Sequence, residues 1–196
     1  MKRVLLILII ILLTIILGGI YMFFKLVDKS EPKIVKLESP IKMVGVSMRT
    51  SIKTIYKDAV LLGKEYQQVK EQNLIQNKKE PWAFVAISKD FSNDNSSWEY
   101  LMGDVVTSFG SVPKGLIAFE IPVKTYAVFT IHPKFKFLWG PTIGLTKKYI
   151  FTEWLPNSKY DSDHEIIGDF EYHDQRSISK NPSIELYIPI REKIQK

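Results

Sequence analysis

The sequence predicts an α+β fold, made of two β-α-β-β units that follow an apolar N-terminal helix. Three features support this: an uncharged apolar run at the start, two segments with helical spacing of apolar residues, and β-rich segments around each of them. The two units read alike at an offset of roughly 80 residues. We therefore expect a duplication, with the units related by a pseudo-two-fold axis and a cleft along that axis.

The apolar run covers residues 4–24 and contains no charged side chain. With a rise of about 1.5 Å per residue, a helix of this length spans the roughly 30 Å hydrocarbon core of a bilayer. A signal peptide has a shorter apolar core, usually about 7–15 residues, and small residues at its cleavage site, whereas bulky side chains from Ile20 to Phe23 follow here. We expect an uncleaved single-pass membrane anchor over residues 1–27. The lysine and arginine counts on the two sides of the anchor favour a cytoplasmic domain. The very short basic segment before the anchor favours a domain on the other side of the membrane, so the side on which the domain lies stays open.

A polar stalk is predicted over residues 28–40, and one domain over residues 41–196. The chain has 27 basic and 21 acidic side chains, a formal charge of +6, but the basic residues are scattered, so no nucleic-acid partner is expected. The absence of cysteine excludes disulfides, thiolate nucleophiles and zinc–thiolate sites. The histidines lack metal-site spacing and no phosphate-binding glycine loop is present, so we expect neither metal nor cofactor. The aromatic content of 12% fits a lined ligand cavity.

The first predicted unit, about residues 41–110, begins with a strand over 42–51. A helix over 52–73 follows, capped by Ser51, because apolar residues recur there at three- and four-residue steps. Two strands over 81–90 and 98–108 complete the unit. Their apolar, aromatic and β-branched content and the polar loop between them are typical of a hairpin.

The second predicted unit, residues 114–191, has the same order. It has a strand over 124–132, a helix over 142–154 ended by Pro156, and strands over 169–174 and 183–191. Residues 116–120 are predicted to be a simple link between the halves.

Four segments of the second unit, TYAVFTIHP, WLPNSKY, DFEYHD and IELYIPI, together resemble the GyrI-like (gyrase-inhibitor-like) effector-binding domain, which also occurs in AraC-type regulators. The first unit is similar but looser, and the resemblance covers residues 41–191. It implies a concave antiparallel sheet with two helices, and a cleft that binds apolar, often cationic, small molecules around a glutamate and several aromatics. The predicted membrane helix stands where regulators carry a helix-turn-helix, so a direct transcriptional role is not expected. The segment HPKFKFLWGPT departs from the family pattern and is expected to alter the mouth of the cleft.

Glu171 matches the pocket glutamate of the resembled family, although an ordinary glutamate on a wet strand face is the alternative. Glu185 competes for the same role, because strand alternation alone does not separate the two. Tyr187 matches a family position and shares a strand face with Glu185. The other predicted ligand-binding residues are aromatic: Tyr172, Trp98, Tyr100, Trp154 and Tyr56. Ordinary packing explains Trp98 and Tyr100 equally well.

These features predict a membrane-tethered, non-enzymatic domain that binds an apolar or cationic small molecule as a sensor or sequestering protein. Two alternatives stay open. The same cleft could hydrolyse a reactive electrophile, with Glu171 positioning water and a tyrosine as the acid. The domain could instead recruit a protein partner to the membrane.

Overall fold

The computed structural model describes residues 27–92, 94 and 96–194, together with residues 9, 11–14, 18 and 19. Its strands are β1 (Lys33–Lys36), β2 (Ile41–Ser51), β3 (Phe84–Lys89), β4 (Ser97–Val106), β5 (Ile117–Ile121), β6 (Thr125–Ile131), β7 (Tyr160–Ser162), β8 (Asp169–His173) and β9 (Ile184–Glu192). Its helices are α1 (Ile55–Glu71) and α2 (Trp139–Tyr149), and α2 continues through a π-helical turn (Ile150–Trp154) into Leu155–Asn157. The predicted α+β class is confirmed.

The strands form one antiparallel sheet in the order β1-β6-β9-β8-β3-β4-β2-β5, and β7 pairs with β9. The strands of the first predicted unit lie in the order β2-β4-β3, and those of the second in the order β6-β9-β8. The units meet through β3 and β8, where Ala86 lies opposite Glu171. Both units therefore have the same internal strand order, and they join through β3 and β8, each of which is the second strand of its unit along the chain.

The helices cover one face of this sheet. Helix α1 buries Leu62 and Tyr66 in a cluster that includes Ala86 of β3, and the α2 region buries Trp154 in a cluster that includes Leu186 of β9. Glu171 is the cross-strand partner of both Ala86 and Leu186, and such partners share a sheet face. The two helix-covered clusters therefore lie on the same side of the sheet.

A third apolar cluster occupies the opposite face. It contains Leu101, Tyr126 and Phe170, and it also packs against Val35 of β1 at one sheet edge and Phe119 of β5 at the other. Because both edges contribute to one cluster, the sheet curves around it. This curvature buries the sheet on both faces at its centre.

Two predicted connections are sheet strands instead. Residues 33–36 of the predicted stalk form β1, whose backbone pairs with β6 while Val35 packs on the apolar cluster. Residues 116–120, predicted as a link, lie mostly in β5, which pairs with β2. In both cases a short segment covers an otherwise open sheet edge, a requirement that local sequence does not reveal.

The helix boundaries also differ from the prediction. Helix α1 begins at Ile55 after Thr54, and Ser51 is not its cap because it is still paired with Ser97 in the sheet. The second helix begins at Trp139 and continues to Asn157, so Pro156 lies within its last turn, directly after the wider π-helical turn Ile150–Trp154.

The predicted membrane span of residues 4–24 lies mostly outside the described residues. Within the described part of the chain, no helix is long and apolar enough to cross a membrane. The anchor therefore stays a prediction.

Candidate functional site

A cavity of about 1140 Å³ lies between α1, α2 and the helix-covered face of the sheet. Its floor comes from three neighbouring strands: Trp98 and Tyr100 of β4, Ser88 of β3, and Asp169 and Glu171 of β8. Tyr100, Ser88 and Asp169 lie opposite one another across these strands. The sheet register thus brings aromatic and acidic side chains together.

The walls of the cavity are mainly apolar. Those on the two helices and their neighbouring loops include Ile52, Ile55, Tyr56, Ala59, Val60, Phe91, Phe137, Pro141, Ile143 and Phe151. Phe91 stacks on Trp98 with ring centroids 5.7 Å apart. Such a lining favours a ligand with a large apolar surface.

Tyr56 of α1 reaches across to α2. A Cβ atom on Gly144 would lie 2.7 Å from the Tyr56 hydroxyl oxygen, and one on Gly140 would lie 3.5 Å from its ring. These two glycines are four residues apart, hence on one helix face, and they provide room for the ring. The two helices are thus bridged over the cavity by one tyrosine side chain.

The floor of the cavity holds a buried charge cluster. Lys147 Nζ lies 2.7 Å from Asp169 Oδ1 and 3.3 Å from Glu171 Oε1. The Ser88 hydroxyl donates a hydrogen bond of 3.3 Å to Asp169, and His173 Nε2 is 3.4 Å from Glu171 Oε2. Both carboxylates are buried, at 4% and 5% relative exposure, whereas the Lys147 side chain retains 23%. Lys147 is therefore their main counter-charge.

Burial and the neighbouring charges shift the pKa values of this cluster in different directions. Burial raises the pKa of Glu171, but Lys147 and His173 outweigh it, so the net pKa lies below the ordinary value. Burial also raises the pKa of Asp169, and Lys147 offsets only part of that rise. Burial lowers the pKa of Lys147, but the two carboxylates raise it above its ordinary value. Burial and these carboxylates also raise the pKa of Tyr100, which keeps its phenol protonated.

The floor consequently carries more negative than positive charge. With Asp169 and Glu171 ionised and His173 neutral, two carboxylates face one ammonium group, which leaves one net negative charge under apolar walls. The indole Nε1 of Trp98 is buried on the same floor, and no acceptor for it is present within the described residues. The arrangement can stabilise one positive charge surrounded by apolar groups.

Four of the predicted ligand-binding residues line this cavity: Glu171, Trp98, Tyr100 and Tyr56. Three others lie on the opposite face of the sheet. Tyr187 stacks on Phe170 at 4.4 Å within the third cluster, and its hydroxyl donates to Glu185. Tyr172 lies opposite Glu185 and packs on that cluster. Of the two glutamates, Glu171 therefore lies on the face of the sheet that lines the cavity, and Glu185 lies on the other face.

Trp154, the remaining predicted residue, is 7% exposed and belongs to the core beneath α2. Its ring packs edge-on against Phe129 at 5.1 Å, and its indole N–H donates to Glu31. The structure therefore places it outside the cavity.

Sequence reasoning missed Lys147, Asp169, Phe91 and Phe151 as cavity residues. The signal for Asp169 was present, because it is two residues before Glu171 and must share its strand face. Lys147 had no such signal, since a lysine on a surface helix usually faces water. Phe137, which also lines the cavity, comes from the segment that departs from the family pattern.

An apolar cavity with a charged floor, between two helices and a curved antiparallel sheet, defines a small-molecule-binding domain. The sequence model of the family described as Cass2, integron-associated effector binding protein, matches residues 33–190. The chain therefore belongs to this family of effector-binding domains, and the resemblance to GyrI-like domains is confirmed.

The transcriptional regulator BrlR of Pseudomonas aeruginosa is 31% identical over 99 residues, which are 49% of this chain and 34% of BrlR. The chain thus matches about a third of the length of this curated relative. Integron cassette protein VCH_CASS2 from the mobile metagenome of Vibrio cholerae has a TM-score of 0.57 at 12% identity, over 83% of this chain and 97% of that one. SAV2435, solved bound to tetraphenylphosphonium, has a TM-score of 0.60 at 14% identity, over 83% of this chain and 94% of that one. These structural similarities show a shared fold.

Proposed function

We propose that this protein is a membrane-tethered binding domain for lipophilic cations with one positive charge. The observation that carries the proposal is the floor of the cavity, where Asp169 and Glu171 face the single ammonium group of Lys147. A ligand with one diffuse positive charge neutralises this floor and places its apolar groups against the aromatic walls. The fold shared with SAV2435, a structure containing such a cation, supports the same ligand class.

The lowered pKa of Glu171 favours binding over catalysis. A hydrolytic role would need Glu171 to accept a proton from water, but its pKa is held below its ordinary value by neighbouring positive charge. We therefore infer that the cavity retains its ligand unchanged, as a sensor or sequestering protein does.

The equal strand order of the two halves further supports our proposal that they are repeats related by a pseudo-two-fold axis, with the cavity between them.

Tetraphenylphosphonium is expected to raise the melting temperature of the chain lacking residues 1–27. At a ligand concentration of about 100 times Kd, binding stabilises the folded state by about 2.7 kcal/mol. For a domain of this size, each kcal/mol corresponds to a shift of roughly 2–4 °C. Differential scanning calorimetry measures the shift, with neutral triphenylphosphine oxide as the control. A neutral compound that stabilises the domain as much as the cation would contradict the proposed charge preference.

The membrane tether is proposed from residues 4–24, whose length and lack of charge are typical of a spanning helix. The full chain is expected to sediment with membranes and to resist carbonate extraction, while the chain lacking residues 1–27 stays in the supernatant. Immunoblots of the two fractions and the N-terminal sequence of the mature protein provide the measurement. Release by carbonate, or a mature N-terminus near residue 25, would show that the segment is not an anchor.

A further inference from the structure

The cavity opens among exposed apolar side chains. Five residues that line it are also exposed, with relative accessibilities of 69% for Ile52, 61% for Tyr56, 57% for Val60, 78% for Phe137 and 41% for Phe151. Phe135, which is 47% exposed, stacks on Phe137 with ring centroids 5.5 Å apart. These six side chains are called the rim below. Large apolar side chains gathered at one exposed place mark an interaction surface.

Lysine residues accompany the rim. Lys53 and Lys57 flank its α1 residues, Lys134 precedes Phe135, and Lys148 lies on α2 beside the cavity; all four are exposed. The carboxylate of Asp58, in the same turn of α1, accepts a hydrogen bond of 2.8 Å from the Thr50 hydroxyl. Apolar and aromatic side chains surrounded by lysine are the composition of segments that lie in the interface of an anionic bilayer.

The N-terminal segment contacts the helical segment that carries Phe151 of the rim. Lys29 Nζ lies 2.5 Å from Glu153 Oε2 and 5.0 Å from the centre of the Tyr149 ring. Glu153 and Tyr149 are each two residues from Phe151 along this segment, which places them on its other side, about one helix diameter of 10–12 Å from the rim. Five Cα–Cα steps lead from residue 24, the last of the predicted membrane-spanning run, to Lys29, and they cover at most about 18 Å. A helix crossing the bilayer at residues 4–24 would therefore keep this part of the domain, and with it the rim, within about 30 Å of the lipid.

We propose that the rim docks on the surface of a bilayer containing anionic lipid, so that the cavity opens toward the membrane and receives lipophilic cations from it. This inference rests on the proposed tether and ligand class. Lipophilic cations accumulate at anionic bilayers, because both the apolar and the charged parts of the ligand are favoured there. The rim aromatics would lie at the boundary between headgroups and acyl chains, with the lysines among the headgroups.

Spin labels test the docking directly, because the chain has no native cysteine. Phe137→Cys places a nitroxide on the rim, and Val123→Cys provides a matched control, since Val123 is also exposed and apolar at 45%. Val123 lies two residues after Ile121, and Ile121 pairs with Ile41 at the start of β2. Thr50, near the other end of β2, pairs with Trp98 of the cavity floor. Because Ile41 and Thr50 are nine residues apart along β2, the control position lies about 30 Å from Trp98.

The full chain is reconstituted into vesicles of phosphatidylcholine with phosphatidylglycerol, and into vesicles of phosphatidylcholine alone. In the anionic vesicles, collisions of the label at position 137 with a water-soluble nickel complex are expected to be several-fold fewer than at position 123, and collisions with oxygen more frequent. The protection should weaken in pure phosphatidylcholine and at high salt. Lys57→Glu should weaken it as well, whereas Lys79→Glu should not, because exposed Lys79 lies beside Val105 toward the other end of β4.

Equal access of the nickel complex to both positions, in a chain that floats with the vesicles, would overturn the docking and leave the tether intact. A chain that does not float would overturn both. Protection at position 137 that rises with protein density rather than with anionic lipid would assign the rim to contact between two copies, which also overturns the proposal. Tetraphenylphosphonium binding, measured on the same vesicles, reports the ligand class separately from the docking.

Discussion

Replacing Lys147 with methionine is expected to lower the free energy of unfolding by about 2–4 kcal/mol. The change leaves two buried carboxylates, Asp169 and Glu171, without their shared ammonium partner at 2.7 and 3.3 Å. Removing one partner of a fully buried ion pair typically costs about 3–5 kcal/mol. The loss should be somewhat smaller here, because the open cavity admits water and Asp169, whose pKa is already raised, can take up a proton. Chemical denaturation of the chain lacking residues 1–27 at neutral pH measures the difference.

Lys148→Met is the matched control, since it removes an exposed lysine from the next position of the same helix. Its effect should stay within about 0.5 kcal/mol, as for most surface changes. Adding Asp169→Asn to Lys147→Met should recover part of the lost stability, because it removes one of the two uncompensated charges. If both lysine variants were equally stable, Lys147 would not be the counter-charge of the cavity floor.

Replacing Glu171 with glutamine is expected to weaken tetraphenylphosphonium binding by about 1.5–3 kcal/mol, roughly 10- to 150-fold in Kd. Glutamine keeps the side-chain shape and removes the charge. The floor would then hold Asp169 and Lys147 alone, with no net negative charge to balance the ligand. Binding of neutral triphenylphosphine oxide should change much less, because its interaction with the aromatic walls persists. Isothermal titration calorimetry of both ligands at two salt concentrations measures the contrast.

Glu185→Gln is the control for this measurement. Glu185 is a partly buried glutamate on the other face of the sheet, where it accepts from the Tyr187 hydroxyl at 2.8 Å and pairs with Arg176 at 3.1 Å. Its replacement can alter stability but should leave the affinity for the cation unchanged. Equal losses for both ligands in Glu171→Gln, or a larger loss in Glu185→Gln, would remove Glu171 from the proposed role.

Much of the fold could be predicted because the relevant signals are local. Apolar spacing at three and four residues indicated α1, and its buried residues Leu62, Tyr66 and Val69 all lie on the predicted face. Alternation correctly separated Tyr187 from Leu186 in β9. The predicted chain order of strand, helix and two strands is present in both halves, as β2-α1-β3-β4 and β6-α2-β8-β9. Edge strands β1, β5 and β7 were missed, since short segments gain stability from the edge they cover rather than from their own composition.

The sequence by itself determined the α+β class, the two helices and the effector-binding resemblance. Only the tertiary structure decided which residues share the cavity. Side-chain alternation assigns the residues of each strand to two faces, but it does not show which residues of neighbouring strands share a face. That depends on the register, which pairs Glu171 with Leu186 and Tyr172 with Glu185. That register places Tyr187 and Glu185 on the far face. The approach of α2 to the sheet then brings Lys147 to Asp169 and Glu171, because a buried charge needs a partner that only packing between distant segments supplies.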